Sequence, residues 1–260
     1  YNLPQMGKVN QSGFTVIEVI LFLAITGVLF AVLMIGVGTG INQQRYLDSA
    51  RSYRALIQDQ YAAALNTENR ITQVGECTLD SSNKAKINQD ANRNIDRGTS
   101  KCVVMGRAIR ILPESGGVVS IQTSSVTGYN ADNADVQDML DIDAIVKFNP
   151  QIAKFDQSVT DLDWGSYLTT TDNPRRPSEA VIVILRSPST GNIRVFTSKT
   201  SHQSDDLSDI ITVTNATEVL SNCIENGTPT LTPRILVSVD PRISNADGVR
   251  LDGGNNEVCQ

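Results

Sequence analysis

The chain has 260 residues, 40% apolar and 19% charged, a balance that suits a folded protein and excludes an intrinsically disordered one. Its net charge of −6 and pI of 4.8 exclude a surface clothed in nucleic-acid-binding cations, while leaving room for local patches. This length accommodates one long element and one or two globular units with real cores; the first residue is Tyr1 rather than Met, so an upstream start is expected.

The first informative stretch is 14–41, FTVIEVILFLAITGVLFAVLMIGVGTGI, in which Glu18 is the single charged residue. Nothing ionises from 19 to 37. At about 1.5 Å of helical rise per residue those positions span roughly 28 Å, the thickness of a bilayer's hydrocarbon core. A transmembrane helix is therefore predicted. The run is too long for a cleaved secretory signal, and no small-x-small site follows it. Hydropathy alone predicts an ordinary single-pass anchor.

The front of that run carries more information. A short polar segment, Lys8-Val-Asn-Gln-Ser-Gly13, ends in glycine just before Phe14-Thr-Val-Ile-Glu18. These residues resemble the class III signal of type IV pilins and type II secretion pseudopilins. The resemblance implies that a prepilin peptidase cuts after Gly13 and that Phe14 becomes the N-methylated mature terminus. It also implies that Glu18 pairs with the N-terminal amine of a neighbouring subunit in a filament. A carboxylate in a membrane segment costs on the order of 2.5 to 3.5 kcal/mol and needs a partner. Cleavage would create one, because the α-amine of Phe14 is a new positive charge at the same depth. The plainer alternative is a Glu18 that snorkels to water or takes up a proton.

Two features depart from the common pilin pattern. No proline lies between Phe14 and the globular part, so Gly27, Gly36, Gly38 and Gly40 are the candidates for local bending, each weakening the helix by about 1 kcal/mol relative to alanine. Close helix packing through these small residues is the other reading. Only Lys8 precedes the span whereas Arg45, Arg51 and Arg54 follow it, against the bias expected of a cytoplasmic leader.

Beyond the span, Tyr46, Ala50, Tyr53, Ile57, Tyr61 and Ala64 or Leu65 recur at three- and four-residue steps, the period of one helical face. No proline or glycine interrupts 42–74, so one continuous helix is expected over about 14–66. From about 71 the texture changes to short β-prone runs: 103–112, 118–123, 144–148, 180–186, 193–197, 210–213 and 234–239. Turn signals stand at Ser115-Gly-Gly, Ser189-Thr-Gly-Asn and Asp252-Gly-Gly-Asn-Asn. One long helix followed by strands predicts an α+β fold, the helix packed on a C-terminal antiparallel β-sheet head. The expected organisation is a leader at 1–13, a transmembrane and polymerisation helix at 14–41, its amphipathic continuation at 42–70 and the head at 71–260.

Cys77, Cys102, Cys223 and Cys259 all follow the apolar run. Outside the cytoplasm they would form two disulfides, each contributing roughly 2 to 4 kcal/mol. Three pairings are open; the sequential one, Cys77 with Cys102 and Cys223 with Cys259, closes the shortest loops. No two cysteines have CxxC spacing and His202 is the single histidine, which argues against a zinc site.

Catalytic signatures are lacking. His202 lies in a polar run, read as a surface loop, and leaves base-assisted nucleophile schemes without a base. Asp132, Asp135, Asp138, Asp141 and Asp143 form an acidic cluster without calcium-loop spacing, and the terminal SNADGVRLDGGNNE fails that pattern too. No phosphate loop or dinucleotide fingerprint occurs. A non-enzymatic protein without a cofactor is expected.

Charge is uneven. Lys84, Lys86, Arg93, Arg97, Lys101, Arg107 and Arg110 face only Asp90 and Asp96, a local +5, whereas 132–163 holds eight aspartates against Lys147 and Lys154, a local −6. The two stretches can meet across neighbouring subunits, or the basic stretch 84–110 can meet DNA or an anionic surface; a scattered solvated face is the plain reading. Arg175 and Arg176 sit between prolines in an expected exposed loop.

The resemblance thus implies a structural subunit, a minor pilin or pseudopilin, with the larger-than-usual head favouring a minor or tip-like role in adhesion, DNA uptake or assembly priming. Its implied partners are other pilin subunits, the prepilin peptidase, the inner-membrane assembly machinery, and membrane lipid before assembly. The implied location is the cytoplasmic membrane with the head outside, then an extracellular or periplasmic filament. The alternative from another class is a single-pass anchored extracytoplasmic binding domain that never polymerises.

Overall fold

The computed structural model describes residues 13, 15–66, 76–79, 85–88, 102–114, 119–130, 135–173, 176–200, 202–225, 235–253 and 259. Phe14, the side chain of Cys77, and the expected turn at 115–117 lie outside them, as do 254–256 of the expected final turn. The chain divides into two units, Tyr1–Gln44 and Arg45–Gln260. Helix α1, Val16–Leu65, supplies the first unit's described structure and the opening element of the second. It runs without a break through Gly27, Gly36, Gly38 and Gly40, so none of these glycines interrupts it here. Asn66 closes it by donating its N–H to the carbonyl of Ala62 at 2.9 Å.

Among the described residues twelve strands follow: β1 Glu76–Leu79, β2 Ala85–Asn88, β3 Val103–Pro113, β4 Val119–Gly128, β5 Gln151–Ile152, β6 Ser158–Asp161, β7 Tyr167–Thr170, β8 Ala180–Arg186, β9 Ile193–Ser198, β10 Leu220–Glu225, β11 Ile235–Val239 and β12 Val249–Gly253. A short helix, α2, covers Asp141–Lys147. All the pairings are antiparallel, so the coarse α+β expectation holds. A large sheet runs β5-β4-β3-β8-β9, with β6 pairing β4 beside β5, a smaller one runs β12-β11-β10-β7, and β1 pairs β2.

The large sheet is buried on both faces at its centre, which explains the unbroken apolar run of β8. Ala180, Ile182 and Ile184 point into one core, and Val181, Val183 and Leu185 into the other. In β3 the alternation slips at a bulge between Val104 and Gly106, which puts Met105 and Ala108 on the same face although they are three residues apart. Gly106 is required there by close approach, because a Cβ would collide with the carbonyl oxygen of Ile184 across the β3–β8 ladder.

The first core gathers Tyr46, Ala50, Tyr53, Ile57, Tyr61 and Ala64 of α1 with Ile109, Ile111, Ile121 and Val195 of the large sheet and Leu220, Ile224, Val237 and Val249 of the small one. Each buried tyrosine or isoleucine contributes about 1.5 to 3 kcal/mol of apolar burial. Leu65, the alternative to Ala64, is exposed. The Tyr46 hydroxyl donates to the Ile224 carbonyl and accepts the Ile235 N–H at 2.8 Å, tying α1 to β10 and β11 where their ladder opens.

Two expected strands are corrected. Residues 144–147 belong to α2 and Phe148 is its C-cap: Asp141 and Asp143 occupy its first turn and Lys147 its last, which suits the helix dipole. Ile142 and Ile145, one helical step apart, pack on the second core. Residues 210–213 form a turn rather than a strand, because the N–H groups of Ile210 and Ile211 both donate to the Leu207 carbonyl. Their side chains, with that of Leu207, cover the second face of the large sheet. The expected turn at 189–192 is present between β8 and β9, where Gly191 takes a φ of 75°.

Candidate membrane and assembly helix

Val16–Met34 is long and apolar enough to cross a membrane, and none of it is buried within the chain. Apolar side chains stand out on every side, from Ile17 and Val19 to Leu33 and Met34. A helix apolar all round is built for an apolar surround. The segment holds two polar side chains that must find partners in lipid, Glu18 and Thr26. Both find them locally. The Thr26 hydroxyl donates to the carbonyls of Phe22 at 2.8 Å and Leu23 at 3.1 Å, inside the helix.

Glu18 closes a reciprocal cap with Thr15. Its Oε2 accepts the Thr15 N–H at 2.8 Å and the Thr15 hydroxyl at 2.9 Å, while the Thr15 hydroxyl accepts the Glu18 N–H at 3.3 Å. This is a capping box, T-x-x-E, which satisfies orphan donors of the first turn. Thr15 thus gives Glu18 hydrogen bonds within the chain but no counter-charge. The T-x-x-E spacing of Thr15-Val-Ile-Glu18 is the sequence mark of this cap. Gly13, at the expected cleavage site, is exposed. A Cβ at Gly27, Gly36 or Gly40 would meet nothing within 4 Å, so contacts within the chain do not account for glycine at those positions.

The other sequence-selected residues fall in the second unit. Cys223 and Cys259, one of the two pairs expected from loop length, are joined with a sulfur separation of 1.99 Å and are buried with Leu236. Cys102 is disulfide-bonded as well.

Among the described residues one contact joins the two charged stretches within the chain. Arg107 of the basic stretch pairs with Asp156 of the acidic one at 2.6 Å, and also donates to Gln60 of α1 at 2.8 Å and to the Ser125 hydroxyl at 2.7 Å. Arg110 is buried on the opposite face of β3, donating to the Ser204 carbonyl and 3.7 Å from Asp205, which also receives Lys154 at 2.6 Å. These two arginines are internal clamps and not part of an open basic surface. Strand alternation aims them at opposite faces, because both lie beyond the bulge in unbroken register with β4. Lys84, Arg93, Arg97, Lys101 and Arg175 lie outside the described residues.

The acidic cluster is likewise partly structural. Asp141 is buried, accepting from the Thr190 hydroxyl at 2.6 Å and from Arg194 at 2.6 and 2.8 Å. Burial pushes its carboxyl up, but the hydrogen bonds from Thr190, Arg194 and Ser187 and the Arg194 charge outweigh burial and hold it below the usual carboxylate range. Asp132 lies outside the described residues, and Asp135 accepts the N–H of Gln137. Among the described residues no three His, Cys, Asp or Glu side chains converge on a metal position. His202 lies in a loop, as expected, but is half-buried, its Nε2 2.6 Å from the Asp206 carbonyl oxygen.

A shallow cleft is lined by Thr170, Asp172, Arg176, Glu179, Lys199 and Asn222. It mixes both signs of charge and gathers no nucleophile with a base. Set against protein-family models, curated proteins and solved structures, the chain matches none of them.

Proposed function

We propose that the protein is a membrane-anchored structural subunit of a pilin-like filament, a minor pilin or pseudopilin, and that its N-terminal helix is both anchor and polymerisation element. The observation that carries the membrane part is the Val16–Met34 segment, exposed along its length with both of its polar side chains satisfied internally. The filament part is supported by the register of Gly13, Phe14 and Glu18 in the sequence. Repeated contacts between such helices are heterologous and non-closing, the type that builds fibres. The protein is non-enzymatic in this reading. Other pilin subunits, a prepilin peptidase and inner-membrane assembly machinery are its partners, with the second unit outside the cytoplasm.

Mass spectrometry of the N-terminus, on protein taken from its native membrane, tests the reading. Phe14 is expected as a methylated first residue; an intact leader sinks the proposal. Glu18→Ala is expected to leave membrane insertion intact and to lower incorporation into filaments. A Gly13 variant that is still processed normally would count against the assigned cleavage site.

The capping box favours a second reading. Because Thr15 already satisfies Glu18 within the chain, an anchor that never polymerises needs no neighbouring amine. Under that reading the protein is a single-pass anchored binding domain, and Glu18→Ala leaves its membrane complexes unchanged.

A further inference from the structure

Trp164 is the chain's one tryptophan, and it is 61% exposed. It lies with Gly165 at the centre of the turn between β6 and β7, closed by the Ser166 N–H donating to the Asp163 carbonyl at 3.2 Å. Trp164 has φ 62° and ψ 24°, and Gly165 has φ 68°. These are the angles of a type I′ turn, whose central positions ordinarily hold Asn, Asp or Gly. A bulky aromatic residue there is strained. Core packing does not account for it, since the ring is largely open to solvent. Among the described residues its ring contact is with a cation, the Arg45 guanidinium 4.8 Å from the ring centroid.

Arg45 opens the second unit and continues the four-residue spacing of Val37 and Ile41 in α1, both of which are exposed. One helical face thus passes from apolar residues to a cation in about 6 Å of rise. An indole has an apolar body and one N–H donor, and a guanidinium pairs with phosphate oxygens, so both settle where hydrocarbon meets headgroup. Asp161 and Asp163 flank the turn in the chain. Anionic lipid is therefore not called for, and the fitting surface is a zwitterionic phospholipid.

We propose that Trp164 and Arg45 together form an interfacial anchor that contacts the phospholipid headgroup layer. The inference rests on the reading of Val16–Met34 as a membrane span.

The test reconstitutes the full-length chain into phosphatidylcholine vesicles, follows flotation, and reads the emission of the single tryptophan. Separate vesicles carry a nitroxide on the headgroup, high on the acyl chain, or near the chain end. Headgroup and shallow nitroxides are expected to remove most of the emission, the deep one little. Arg45→Gln, with its melting transition retained, is expected to weaken headgroup quenching. A protein that floats while its emission ignores every nitroxide and stays open to aqueous acrylamide overturns the anchor and leaves the membrane span standing. Emission shielded from acrylamide yet silent to the nitroxides means that a second copy covers the ring, which overturns it too. Headgroup quenching unchanged by Arg45→Gln overturns the paired site. A chain that fails to float removes both the span and the anchor.

Discussion

The two parts of α1 obey different rules although they belong to one helix. In 16–44 apolar residues surround the axis and stand exposed, whereas in 45–65 Tyr46, Ala50, Tyr53, Ile57, Tyr61 and Ala64 make one buried face, down to 0% exposure at Ile57 and Ala64. The first part meets its polar needs within itself, through Thr15 with Glu18 and through Thr26 with its own backbone. The second meets some of them through the sheets, with Tyr46 on Ile224 and Ile235 and Gln60 on Arg107, while the buried Ser49 and Tyr61 hydroxyls have no hydrogen-bond partner among the described residues. A helix without a fixed protein partner must be self-sufficient, while one built into a core can delegate its hydrogen bonds.

The sharpest way to break this contrast is to remove the same kind of side chain from each part. Ile57→Ala is expected to lower the stability of the second unit by about 2 to 5 kcal/mol, whereas Leu29→Ala is expected to change it by less than about 0.5 kcal/mol. Thermal unfolding in detergent, followed by circular dichroism, measures both. Equal losses would mean that the first part is also packed on protein.

A smaller effect is expected at Asp141, whose partners all come from α2's surroundings and the β8–β9 hairpin. Its folded carboxyl lies below the usual range, so its contribution is fully present above the unfolded pKa and is lost as pH falls through the folded one. Asp141→Asn is expected to cost about 1 to 3 kcal/mol near neutrality and to flatten the acid limb of a stability-against-pH profile. A mutant with an acid limb as steep as that of the parent would show that other carboxylates set it.

The smallest effect belongs to the start of α1. Thr15→Ala should weaken the first turn by about 1 kcal/mol, seen as faster amide exchange over 16–19 with the second unit's melting unchanged. If Glu18 pairs with a neighbour in a filament, incorporation survives this change; if the cap is its whole role, Thr15→Ala and Glu18→Ala behave alike.

Much of the fold was legible because it follows from local periodicity. The apolar run, the buried face from Tyr46 to Ala64, and strands β3, β4, β8, β9 and β11 all carry an unambiguous period or an unbroken apolar core. Strands β6 and β7 were not, since Ser158–Asp161 is exposed throughout and Tyr167–Thr170 is four residues long. The misread 144–148 and 210–213 are short apolar runs, for which helix, turn and strand are indistinguishable until something packs against them. At the candidate site, Gly13, Phe14 and Glu18 were visible as a register, whereas Trp164 was not, because nothing local marks a tryptophan as bound for a turn with positive φ.

What the amino-acid order determines by itself is where a membrane-length apolar helix lies and which of its later residues face inward, because both follow from composition and a 3.6-residue period. Only the tertiary structure decides that Arg107 and Arg110 are clamped to acidic partners on opposite faces of one strand, and that Trp164 lies against Arg45. Those outcomes depend on strand register and on which distant residues the fold brings alongside.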